Sequence, residues 1–205
     1  MGQQFSVIYP PIYDHVTGKL LKGLSPRLIY HSIHHTLDVL EQVQRIAERE
    51  KIIHEENLFL LKVAALYHDS GFLFIYSGHE AKGCEIGREE LPRFGLKTLQ
   101  IDKICGMIMA TKIPQTPRNK LEEIICDADL DYLGRDDFEM ISNNLYKEFL
   151  DFGFVKDHKQ WMRLQVKFFE THHYFTNSSK QLRNPSKMAR LEKLKFLDHS
   201  EPDEK

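Results

Sequence analysis

Three short segments of this chain gather side chains able to hold a divalent cation. Of the 11 histidines, three cluster in Tyr30-His31-Ser32-Ile33-His34-His35. Residues four apart on a helix share a face, so a helix through this segment points His31 and His35 the same way, in line with Val39 and Ile46. The second segment is Ala64-Ala65-Leu66-Tyr67-His68-Asp69, where two ionisable residues close an otherwise apolar run. Buried charge is costly unless paired or bound to metal. A neutral imidazole beside a carboxylate supplies the nitrogen and oxygen donors that first-row divalent metals accept. In the third, Cys126-Asp127-Ala128-Asp129-Leu130-Asp131, three aspartates alternate along an apolar helix. An inward carboxylate there calls for a cation, since otherwise burial favours its protonated form. Spacing leaves both Asp129 and Asp127 open as ligands.

The elements that must carry these residues are helices. Apolar residues recur at three- and four-residue steps, and few segments alternate with period two. Ser25-Pro26, a cap followed by proline, predicts a helix over 25–51. Further helices are expected over 54–70, 79–91, 99–111, 120–133, 136–152, 157–174 and 184–197. The second is apolar nearly all round in its later half and should be central, with Gly71 ending it. The class is all-α, with seven to nine helices. Residues 1–24, with Pro10, Pro11 and three glycines, are expected as an irregular arm, 25–197 as one helical domain, and 198–205 as an acidic tail.

A chain of 205 residues suits one domain with a substantial core. The formal net charge of -2 gives no global basic field, so no nucleic-acid polymer is expected as a partner. No run of about 18 apolar residues predicts a membrane span. The start of the chain lacks the basic-then-apolar pattern of a signal peptide. Cys84, Cys105 and Cys126 are odd in number and form no C-x-x-C pair, which fits reduced thiols and a cytoplasmic location.

The order His35, then His68-Asp69, then Asp129 resembles the HD superfamily of metal-dependent phosphohydrolases. The likeness covers roughly residues 28–135. It implies a helical HD-type domain and makes Asp129 the fourth ligand, because family members read Ala-Asp before an apolar residue. Asp127 is the fallback. Locally, Tyr30-His31-Ser32-x-x-His35-Thr36-x-Asp38-Val39 also looks like the cyclic-nucleotide phosphodiesterase signature, with Ser32 and Thr36 departing from it. That likeness implies His31 as general acid. The histidines that continue the phosphodiesterase His-Asp segment are replaced here by Ser70-Gly71-Phe72. Dinuclear members carry further histidines between His-Asp and the last Asp; this chain offers His79, next to Glu80. One tightly held metal is expected and a second is left open.

The activity implied is hydrolysis of a nucleotide or small phosphate ester by a metal-bound hydroxide, with Mn, Mg, Fe, Ni or Zn as cofactor and Asp69 beside the reacting water. His31 would protonate the leaving oxygen. Lys112, Arg135 and Arg27 are candidates for an anion rim, and His173 for a pocket wall. A homodimer is compatible with the sequence. Two other readings are a non-catalytic metal- or nucleotide-binding sensory domain and a di-iron redox enzyme of HD fold.

Overall fold

The computed structural model describes residues 2–200. It is all-α, with ten α-helices among the described residues: α1 (Gly2–Gly23), α2 (Ile33–Arg49), α3 (Glu55–Tyr67), α4 (His79–Glu90), α5 (Thr98–Thr111), α6 (Lys120–Asp129), α7 (Phe138–Asp151), α8 (His158–Thr171), α9 (Asn177–Leu182) and α10 (Asn184–Ser200). All eight expected spans contain a helix, and α1 and α9 are additional. Short 3-10 turns at Ser70–Leu73, Leu91–Phe94 and Asp131–Gly134 follow α3, α4 and α6.

The arm expected over 1–24 is instead helix α1. Two prolines inside it remove backbone donors. Ile12, Val16 and Leu20, four apart, are nevertheless buried together and pack α1 on α3. Phe5 stacks on Phe59 at 4.8 Å, and the Lys62 ammonium sits 3.7 Å from the Tyr9 ring centroid. This tertiary contact outweighs the local proline cost. The acidic tail is also redrawn, since α10 runs on to Ser200, and residues 201–205 lie outside the described residues.

Helix α3 is the central element. Eight of its residues, from Phe59 to Tyr67 with Lys62 left out, are buried, and it packs on α1, α2 and α5. Helix α6 packs on α2 and α5 and is capped by Asn119, whose side chain accepts from the Leu121 and Glu122 amides. A second apolar cluster joins Tyr30, Leu130, Leu133, Phe138, Phe169 and Leu191, beneath α8 and α10. All three cysteines are buried free thiols.

Candidate metal centre

Helices α2, α3 and α6 bring three of the sequence motifs to one point. Ligand atoms of His35, His68 and Asp129 all lie within 4.8 Å of one another. His35 Nε2 is 3.1 Å from Asp129 Oδ1, and His68 Nε2 is 3.6 Å from the same oxygen. The two Nε2 atoms are 3.4 Å apart. Asp69 Oδ2 completes the group at 3.2 Å from His68 Nε2 and 3.4 Å from His35 Nε2.

This donor set fits a divalent cation. His68 Nδ1 donates to the Ala65 carbonyl at 2.8 Å, so in the neutral ring the Nε2 lone pair points into the cluster. Asp69 Oδ2 is buried and accepts no hydrogen bond despite its two histidine neighbours. Two nitrogens and two carboxylates facing one point require protons or a metal. Burial opposes charge on His68, yet Asp69 and Asp129 outweigh it and hold its pKa well above the ordinary value. Burial likewise pushes Asp129 up, and hydrogen bonds from His35 and His68 overcome it and bring it down to about 2. Carboxylate charge therefore faces the histidine donors here, and a cation would take the place of the proton on His68.

The structure separates Asp127 from this group. Both its oxygens are occupied: Oδ1 accepts from the Phe175 amide at 2.8 Å, and Oδ2 from the Thr176 amide and hydroxyl at 2.8 and 2.7 Å. Asp127 ties α6 to the start of α9.

His31 sits elsewhere than expected. The helix begins at Ile33 rather than at residue 25, with Ser32 as its N-cap. The Tyr30 and His31 amides, which an earlier helix start would turn to backbone carbonyls, donate instead to Glu148 Oε2 at 2.8 and 3.1 Å. His31 still reaches the centre, its ring 6.1 Å from that of His35. Its Nδ1 donates to Glu148 Oε1 at 2.5 Å, and the Tyr76 hydroxyl donates to the same oxygen at 2.8 Å. Burial raises the Glu148 pKa, but His31 and Tyr76 prevail and hold it below its usual value. The sequence reading missed Glu148. Its signal is a charged residue at the apolar-face position set by Ile141 and Leu145 of α7.

His79, at the start of α4, also arrives here. Its Nδ1 donates to the Tyr76 carbonyl at 3.0 Å, and its Nε2 faces Asp69 Oδ1 at 3.4 Å. Phe72 stacks on two histidine rings, 4.3 Å from His31 and 3.9 Å from His79. Gly71 was expected to end a helix. It serves instead as a close approach, because a Cβ on it would lie 2.0 Å from the His79 carbonyl oxygen.

The cations expected at an anion rim are not beside the centre. Arg135 is clamped by Asp38 at 2.7 Å and Asp137 at 2.8 Å, so its charge is spent on the protein. Lys112 is exposed and borders a separate hollow with Arg88 and Arg118. Arg27 pairs with Asp151. His173 is exposed and packs on Phe175, bordering a small hollow apart from the metal group.

Comparison with protein families matches residues 32–131 to the HD domain. These residues are an HD domain. The HD segment spans α2 to α6 and so contains His35, His68, Asp69 and Asp129, while His31 and Glu148 lie just outside it. A similar solved structure is that of a predicted HD superfamily hydrolase from an uncultured Thermotogales bacterium, with a TM-score of 0.60 and 21% identity over 90% of this chain and 91% of that one. At that identity the likeness extends the shared fold beyond the HD domain to nearly the whole chain. No curated protein matches the chain. Among the described residues, no helix is long and apolar enough to cross a membrane.

Proposed function

We propose that this protein is a metal-dependent phosphohydrolase, with His35, His68, Asp69 and Asp129 as the metal ligands. The observation that carries this reading is the convergence of His35, His68 and Asp129 within an HD domain, with the unpartnered Asp69 Oδ2 beside them. A divalent ion held there would supply positive charge beside a phosphoryl group and lower the pKa of a coordinated water.

The chain's own residues supply the rest. Asp69 and Asp129, with His35 and His68, would hold the ion, and Asp69 would lie beside the reacting water. With Nδ1 engaged by Glu148, His31 is left with Nε2 for the reacting group, and His31 lines the cavity next to Asp69 and Asp129. In its protonated form it gives the Nε2 proton to the leaving oxygen. Glu148 is a positioning residue that fixes the His31 ring through Nδ1. Phe72, stacked on both His31 and His79, holds the two rings in place.

The test is incubation of the full chain with Mn2+, Mg2+, Ni2+ or Fe2+ and a panel of phosphate esters, followed by phosphate release. Turnover that is lost in His31→Ala and Asp129→Ala supports the assignment. No product with any of these metals would rule it out.

A further inference from the structure

The cavity that opens on His31, Asp69 and Asp129 encloses about 330 Å3. Among the described residues, its charged lining groups besides histidine are Asp69, Glu80 and Asp129, and no lysine or arginine lines it. Arg135 is held by Asp38 and Asp137, and Lys112 borders the neighbouring hollow rather than this cavity. A nucleoside di- or triphosphate would have to lose its water here with only the metal and histidine to balance several charges, which is unfavourable.

The remaining wall is mostly apolar, with Gln165 and Thr111 as polar members. Leu145 and Phe149 come from α7, and Trp161, Leu164 and Phe168 from α8. Trp161 stacks on Tyr146 at 5.8 Å and meets Phe149 edge-on at 5.6 Å, so the wall is formed in advance. Both helices lie outside residues 32–131, so this part of the wall is formed outside the matched HD segment.

We infer that the substrate is a monophosphate ester with an apolar leaving group, aliphatic or aromatic, seated between α7 and α8. This rests on the phosphohydrolase reading of the centre. At ~30 Å3 per water-sized group the cavity takes about ten methylene-sized units. Water adds to phosphorus and the bond from phosphorus to the leaving oxygen breaks. The proton from His31 completes an alcohol or phenol, and inorganic phosphate is the other product.

Two aryl phosphates of matched leaving-group acidity test this with the Mn2+-loaded full chain: phenyl phosphate and 4-butylphenyl phosphate, with AMP and ATP alongside. The expected kcat/KM is at least tenfold higher for the butyl compound, with ATP below phenyl phosphate. Leu164→Arg, at a partly exposed wall position, should shrink the difference between the aryl pair to under threefold. Equal rates for the pair, or faster cleavage of ATP, overturn the inference and leave the phosphohydrolase reading intact.

A second readout needs no turnover. Trp161 is the only tryptophan, so its emission reports the wall directly. Titration with 4-butylphenylphosphonate should change it saturably, and ATP should not. If no phosphate ester is cleaved, the phosphohydrolase reading falls. In that case a saturable change still supports apolar occupancy, and a flat titration removes it.

Discussion

Nδ1 of His31 lies 2.5 Å from Oε1 of Glu148, a residue 117 positions away on α7. The carboxylate accepts four hydrogen bonds in all, from two backbone amides, one imidazole and one phenol. A single buried side chain thus sets both where α2 begins and how the candidate acid is held. Glu148→Gln should lower kcat for phosphate esters about 10–100-fold, the scale of general-acid catalysis, with KM changed less than about threefold. Steady-state kinetics check this; an unchanged kcat would remove Glu148 from the mechanism.

The same residue gives a pH signature. Its folded pKa is depressed, so its contribution to stability is present above the ordinary carboxylate value of 4.5 and is lost as pH falls through the folded value. The gap in melting temperature between the native protein and Glu148→Gln should therefore narrow as pH drops from about 5 towards 3, as calorimetry can follow.

Asp129 and Asp127 should separate cleanly. Asp129→Ala should abolish tight Mn2+ binding by calorimetric titration while the fold is retained. Asp127→Ala leaves the Phe175 and Thr176 amides unpaired and removes one partner of the Thr176 hydroxyl, and should cost about 2–4 kcal/mol of stability. Its Mn2+ affinity, measured below the melting transition, should stay within about threefold of the native value.

The metal-free and metal-loaded proteins should respond oppositely to pH. Without metal, His68 has a raised pKa, so its stabilising effect is complete below the ordinary value of 6.5 and is lost as pH rises through the folded value. A cation needs the neutral ring, so Mn2+ binding strengthens as pH rises. The gain in melting temperature on adding Mn2+ should grow from pH 6 to 8, and where Mn2+ stands at a hundredfold excess over Kd the stabilisation is about 2.7 kcal/mol. A gain that is flat or falling with pH would contradict this protonation scheme.

Gly71→Ala forces a methyl group into the backbone of His79. A loss of about 1–3 kcal/mol is expected, with weaker Mn2+ binding as the segment after Asp69 shifts. Thermal denaturation and metal titration report the two effects separately.

Much of this was legible in the sequence because the relevant signals are local. His68-Asp69 stands out as a polar end on an apolar helix, and the structure buries both among neighbouring donors. The choice of Asp129 over Asp127 was not legible from spacing, since it depends on amides 48 and 49 residues away. The cations failed for the same reason: Arg135 looks free locally, but Asp38, 97 residues before it, takes its charge. The prolines of α1 masked the four-residue recurrence of Ile12, Val16 and Leu20. His31 was matched to a helical face it does not occupy, because the partner that holds it lies far along the chain.

The helices that bear the metal ligands and those that wall the cavity are different stretches of one polypeptide. A substitution on α7 or α8 facing the cavity can alter its shape without touching His35, His68, Asp69 or Asp129. Apart from Glu148, the cavity-facing positions of α7 and α8 can therefore change what relatives accept while the metal-binding half stays the same.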